Sequence, residues 1–388
     1  MNETCTAISS DKDSARAGAA LGRKIRDAFR GAPADAVAVF ASAQHHYPAL
    51  LESLARECGT ETIVGSSSAG EFSDHSRGEG QISVLGIRGD GLRFSVGHGS
   101  GISRDPAGAA REAVAGFRGI VDSPMPYRAA LVMTDALAGH ADALVEQLTV
   151  LTRGNYSFFG GGAGDDAKFT KTHVFAGTQA HSDTLVALEI LSMQPLGIGV
   201  SHGWIPAGAG MRVTEASGTR LASLNGEPAV HAMEEHARAT GQQFDRANPL
   251  PFFLHNIIGI KIDGSYRLRV PLGVNPDGSL ALAAEVPTGA VVHIMKTSEQ
   301  SAVQAADKAA RSALAALGGR RPSAGLVFDC VATRLRLGSV FDDELRSCAE
   351  LLAPAGFVGC NTYGQIARAE GQFSGFHNCT AVVCVIPQ

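Results

Sequence analysis

One pattern is written three times along this chain: a short apolar strand, a helix, a second apolar strand and a glycine-rich turn. The first copy is AVAVFAS, YPALLESLARE and ETIVGSSSAGE; the second is AALVMTDAL, HADALVEQLTVL and SFFGGGAGDD; the third is AGLVFDCVA, FDDELRSCAELL and GFVGCNTYGQI. Each has the size and order of a βαβ unit, because two parallel strands need a helical crossover to join them. The endings correspond as well. Gly65 and Gly70 enclose four residues and precede Glu71, and Gly359 and Gly364 do the same before Gln365. Gly160 and Gly164 are one residue closer and precede Asp165 and Asp166. A corner that recurs needs a reason in the fold before it needs one in chemistry.

The segments between the units read as antiparallel. QISVLGIRGDGLRFSVGHG predicts a hairpin with Gly89-Asp90-Gly91 at its tip, and GFHNCTAVVCVI predicts another. Residues 1–32 read as a polar lead-in followed by a helix with Leu21, Ile25 and Phe29 on one face. A helix is expected over Pro228–Thr240, stopped by Gly241, and a longer one from Glu299 to Leu317 with Thr297 and Gln300 as its capping box. The expected fold is mixed α/β (α+β), in two domains of sheets flanked by helices. Residues 1–32 form the lead-in, 33–227 a first domain that binds ligand, and 228–388 a second domain.

With 388 residues, 45% hydrophobic and 18% charged, the chain is long and apolar enough to bury a large core. A net charge of −5 and no basic run argue against nucleic acid or an anionic membrane as partner. No apolar stretch approaches the ~20 residues of a membrane helix. The opening MNETCTAISSDKD has no secretory character. Seven cysteines without a CxxC suit reduced thiols, and the expected location is cytoplasmic.

The glycine turns admit three chemical readings. A serine-hydrolase elbow needs G-x-S-x-G, but four residues separate Gly65 from Gly70, so the frame fails for Ser66, Ser67 and Ser68, and for Cys360 in the third copy. Gly162 to Ala167 imitates a dinucleotide loop, yet Asp165 and Asp166 would repel a pyrophosphate. The third reading is structural: glycine lets strands end in left-handed turns and approach their neighbours closely. The carboxylates stand just past strand ends, where open α/β sheets place ligands. The ligand-contact set expected there is Gly65, Ser66, Gly70 and Glu71, then Gly160, Gly164, Asp165 and Asp166, then Tyr363 and Gly364, gripping a small zwitterion. Solvated carboxylates capping turns are the plain alternative.

Of thirteen histidines, His173, His181 and His202 fall in one strand-rich region among apolar neighbours able to wall a porphyrin. Imidazole is the commonest proximal haem ligand. His181 leads as the axial metal ligand, followed by His173 and His202, against a structural role for each. No H-x-x-x-H zinc pair occurs.

Taken together, VGSSSAGEF, FFGGGAGDD, GVSHGWIPAGAGMRVTEASGTRLASLNGEPA, PLGVNPDGSLALAAEVPTGAVVHIM, GFVGCNTYGQIA and HNCTAVV resemble, in this order, the signatures of the FIST family. The resemblance runs from about residue 35 to the end. Gln365 stands where the family usually has the acid of T-Y-G-E, and Cys360 matches no family hallmark. The resemblance implies a bacterial cytoplasmic sensor of a small molecule that reports to a signalling partner. A stand-alone subset binds haem b, senses nitric oxide and regulates histidine kinases or cyclic-di-GMP enzymes. The leading expectation is therefore a haem-dependent nitric-oxide sensor without catalysis. The alternatives are a haem-free sensor of amino-acid-like metabolites and a hydrolase using a Ser or Cys loop. A homodimer is compatible with all three.

Overall fold

The computed structural model describes residues 2–121, 123–262, 264–369 and 375–388. All three units are present, each with its two strands parallel: Ala36–Ser42 with Ile63–Ser68, Tyr127–Thr134 with Ser157–Gly162, and Pro322–Cys330 with Gly356–Thr362. Their crossover helices are Tyr47–Cys58, Ala141–Leu151 and Phe341–Leu352, and the third unit carries an extra short helix, Val331–Leu337. The fold is mixed α/β.

Each parallel pair is the centre of a six-stranded sheet, and the three sheets have the same order. Antiparallel to the first unit strand lies Ile82–Arg88, Thr184–Ser192 or Ala381–Pro387. Beyond that lies Glu3–Ser9, Leu92–Ser100 or Gly197–Ser201. On the other side, the second unit strand pairs with a strand lent by another unit. Unit one sends Glu71–Ser73 into the third sheet, unit three sends Gln365–Arg368 into the second, and unit two sends Val174–Ala176 into the first. Each glycine corner thus hands the chain to a different sheet, and the three exchanges close a cycle.

The inner faces of the three sheets share one core, with Phe40 and Val64 from the first, Leu131 and Phe159 from the second, and Leu326 and Val358 from the third. Helices cover the outer faces. Ser14–Ala28 and Tyr47–Cys58 lie on the first sheet, Pro106–Ala115 and Ala141–Leu151 on the second, and Glu299–Ala316 and Phe341–Leu352 on the third. The unit strands are buried on both faces, which is why they read as continuous apolar runs without alternation.

This cyclic arrangement corrects several expectations. Ile82–Arg88 and Leu92–Ser100 are not a hairpin, since they belong to the first and second sheets and Gly89–Gly91 is the crossing between them. Gly375–His377 and Ala381–Pro387 likewise lie in different sheets. A local turn signal reports a change of direction, and here a neighbouring unit strand outcompetes the adjacent segment as pairing partner. The lead-in contains a real strand, Glu3–Ser9, at the edge of the first sheet, where half-buried threonines and serines are tolerated. The capping box of the long helix is Ser298 with Ser301, one residue later than expected, because Thr297 Oγ1 instead donates to the Gly203 carbonyl.

Between Gly197–Ser201 and Glu299–Ala316 the third repeat is interrupted by an inserted nine-stranded sheet, with helix Ala229–Thr240 and its own core of Val213, Met233, Phe253 and Val292. Met211–Ser217 pairs with Val291–Lys296 across this insertion, and Arg220–Leu224 with Leu280–Leu282. The expected boundary at 227/228 falls within this inserted sheet, whose strands come from both sides of it. No helix among the described residues is long and apolar enough to cross a membrane.

Candidate functional site

The three corners meet and interlock by reciprocal backbone hydrogen bonds. Ala69 N donates to Asn361 O at 2.9 Å and Asn361 N to Gly70 O at 2.8 Å; Tyr363 N donates to Gly162 O at 2.9 Å and Gly162 N to Gly364 O at 2.8 Å. Gly164 N and Asp166 N close the ring on Ser67 O and Ser68 O, both at 3.0 Å. The repeated glycines serve this geometry. A Cβ on Gly65, Gly160 or Gly359 would lie 1.7, 2.1 or 1.8 Å from the carbonyl oxygen of Val39, Val132 or Val327 in the adjoining parallel strand. Gly70 and Gly364 turn the corner at φ 131° and 125°. Gly65, Gly160 and Gly164 are packing positions, and Ser66 sits in the ladder between Phe40 and Val174, fully enclosed.

The expected carboxylates divide. Asp165 accepts from the backbone of Phe169, Thr170 and Lys171 at 2.8, 2.6 and 2.8 Å, and from the hydroxyl of Tyr363. Burial by itself would raise its pKa, but these hydrogen bonds overcome that and hold it low. It pins corner two to corner three, with Phe169 stacked on Tyr363 at 4.3 Å, and has little left for a ligand. Asp166 accepts from Ser42 Oγ at 3.0 Å.

Glu71 faces a cavity of about 260 Å³ at the junction of corners one and three. Its carboxyl accepts from Ser68 Oγ and from Gln81 N, the latter at 3.0 Å. Burial pushes its pKa up to about 8, so at neutral pH it is largely protonated. Opposite stands Arg334, on the short helix that follows the first strand of unit three. Its guanidinium lies over Gly70, where a Cβ would come within 3.4 Å of Nε. One terminal nitrogen donates to Glu79 at 2.8 Å, while Nε is buried with no partner. Asn361 presents a second buried donor without a partner, Nδ2. Arg77, ion-paired with Asp342, lies 5.7 Å over the Phe341 ring, and Phe72 meets Phe341 edge-on at 5.7 Å. Two unanswered donors, a second guanidinium and two aromatic walls suit a small molecule carrying an anionic group.

Sequence reasoning found Glu71 but missed Arg334, Asn361, Arg77 and Phe341. Asn361 occupies the third corner and was within reach of the repeat. Arg334 carries no motif, since only the exchange of Glu71–Ser73 into the third sheet brings it to Gly70.

The three histidines divide between two sheets, with His173 and His181 flanking one hairpin of the first and His202 following a strand of the third. His181 ends a short hairpin on the first sheet and stacks on His98 at 5.6 Å. His173 stands 5.1 Å from Tyr47, with Nδ1 buried and unpartnered. His202 follows a strand of the third sheet and holds the Tyr266 carbonyl at 3.1 Å. Burial lowers the pKa of all three. Histidine is absent from the lining of the 260 Å³ cavity and from that of an apolar slot of about 60 Å³, and the space beside His202 is only about 10 Å³. Among the described residues, no group of three or more His, Cys, Asp or Glu is placed to hold a metal. These surroundings do not fit a porphyrin.

Fold and site define a ligand-binding protein built on a threefold internal repeat. The chain belongs to the FIST family: the FIST N domain matches residues 35–227 and the FIST C domain residues 229–368. FIST domains are sensory, small-ligand-binding domains of signal transduction. Comparison with curated proteins yields no match. Among solved structures, a cyanuric acid hydrolase from A. caulinodans is 11% identical over 100% of this chain and 99% of its own, with a TM-score of 0.29. That score is too low to carry any functional reading.

Proposed function

We propose that this protein senses a small carboxylate-bearing, amino-acid-like metabolite in the cavity between the Gly70 and Asn361 corners, binding it without turnover. The observation that carries this reading is the pair of buried, unpartnered donors, Arg334 Nε and Asn361 Nδ2, on two residues that line a single cavity of about 260 Å³. Leaving such groups unanswered costs about 1–3 kcal/mol each, which a ligand's carboxylate recovers on binding. The cavity is bounded by the exchanged strand Glu71–Ser73 on one side and the Phe341 helix on the other, so occupancy bears on how two units sit against each other. The readout we assign is a changed surface offered to a cytoplasmic signalling partner, a histidine kinase or a cyclic-di-GMP enzyme.

The test is thermal unfolding against a panel of amino acids and small carboxylates, since a ligand stabilises by RT ln(1 + [L]/Kd). At least one should raise Tm in the wild type and lose its effect in Arg334→Ala and Asn361→Ala. A hit that persists in both variants refutes the site. A haem-dependent nitric-oxide response rests on the family resemblance and is not favoured by the surroundings of His181, His173 and His202. A Soret band after reconstitution with haem b, lost in His181→Ala, would reinstate it.

A further inference from the structure

Two thiols meet behind the corners. Cys330 ends the first strand of unit three, and Cys379 precedes the strand Ala381–Pro387 that pairs with it. The pairing between these strands ends at Phe328 opposite Val382, two residues before Cys330 and three residues after Cys379. Both side chains belong to one apolar cluster with Trp204, Leu268 and Met295. The two thiols also act on each other, Cys379 being the largest influence lowering the pKa of Cys330 and Cys330 the largest raising that of Cys379.

Access is the second observation. Cys330 lines the apolar slot of about 60 Å³. The rim of that slot is formed by Leu137, Phe169 and Leu272, 43, 41 and 41% exposed, so it opens at the surface. Its volume matches about two water-sized molecules. That admits hydrogen peroxide.

We propose that Cys330 and Cys379 form a peroxide-responsive dithiol that closes reversibly to a disulfide. Cys330 Sγ attacks one peroxide oxygen, the O–O bond breaks, and the leaving hydroxide takes the thiol proton as water, giving a sulfenic acid on Cys330. Cys379 Sγ then attacks Cys330 Sγ, the S–O bond breaks, and a second water leaves with the Cys379 proton. Two thiols lose two electrons in all and one peroxide gains them; a thiol reductant reverses the change. Cys330 suits the attacking role because its neighbour Cys379 lowers its pKa against the effect of burial. The other six thiols are all shifted upward, chiefly by burial except at Cys379, where the influence of Cys330 leads.

The test is to treat the native, fully reduced protein with hydrogen peroxide, count thiols after denaturation and map linked peptides. Two of the seven thiols should disappear, as one Cys330–Cys379 link that dithiothreitol restores. Cys379→Ser should stall as a sulfenic acid on Cys330 that dimedone captures, and Cys330→Ser should keep Cys379 alkylatable. All seven thiols surviving in the wild type, or a link between other cysteines, would overturn the proposal without reference to the variants. So would a Cys379→Ser protein that unfolds cooperatively yet yields no adduct at Cys330.

Discussion

The side-chain amide of Asn2 donates to the carbonyl of Pro387 at 2.9 Å, joining the two ends of the chain across one seam. Thr4 and Ser323 reinforce it, with Oγ1 of Thr4 donating to the Ser323 carbonyl at 3.0 Å. The last strand of the third sheet therefore stands beside the first strand of the first, where Gly89–Gly91 makes the corresponding crossing between the first and second sheets. Joining the ends by a short linker and opening the chain between Asp90 and Gly91 should give a cooperative protein with near-wild-type melting, because every pairing is kept. A permutant that fails to fold would show that the seam is incidental.

The three packing glycines should be comparably intolerant. Gly65→Ala, Gly160→Ala and Gly359→Ala each force a Cβ within about 2 Å of a carbonyl oxygen in the parallel strand. Each should cost about 3 kcal/mol or more, at the upper end of overpacking penalties. Gly208→Ala, where a Cβ meets nothing within 4 Å, is the control and should be near neutral. Denaturant unfolding of the four variants checks the contrast.

Glu71 makes stability depend on pH in a definite direction. Its folded pKa of about 8 lies above the ordinary glutamate value of 4.5, so between these the folded state holds a proton that the unfolded state lacks. Its contribution is fully present below the unfolded value and is lost as pH rises through the folded one. Wild-type stability should therefore fall from about pH 5 to pH 8 by an increment that Glu71→Gln removes. Parallel melts across that range would refute the assignment if the two profiles keep the same slope.

Arg269 is enclosed in the inserted sheet's contact with the second sheet, ion-paired with Asp142 and donating to the carbonyls of Glu285, Leu268 and Phe376 at 2.8, 2.9 and 3.0 Å. Burial presses against its charge, and Asp142 is the first group that offsets this. Asp142→Ala should cost about 3–5 kcal/mol by stranding a buried guanidinium. Adding Arg269→Met should recover some of that loss. A double variant no better than the single would place the stabilisation in the carbonyl contacts.

The three βαβ units and their glycine corners were legible in the sequence because local forces write them there: apolar runs for strands buried on both faces, helical spacing between them, and glycine where a carbonyl comes too near for a Cβ. Their recurrence admitted a structural role for the glycines, yet Gly65 and Gly160 were also expected to touch a ligand, and only the tertiary structure set a carbonyl oxygen where their Cβ would lie. What stayed hidden was partnership. A strand's composition reports that it is buried and not against which neighbour, so Gly89–Gly91 read as a hairpin tip when it is a crossing, and His202 read as a companion of His173 and His181 when it follows a strand of the third sheet and they flank a hairpin of the first. Arg334, Glu71 and Asn361 line one cavity because three corners trade strands around a cycle. That exchange is a long-range pairing whose free energy comes from the assembled core, and no window of the chain short enough to be read as a motif contains it.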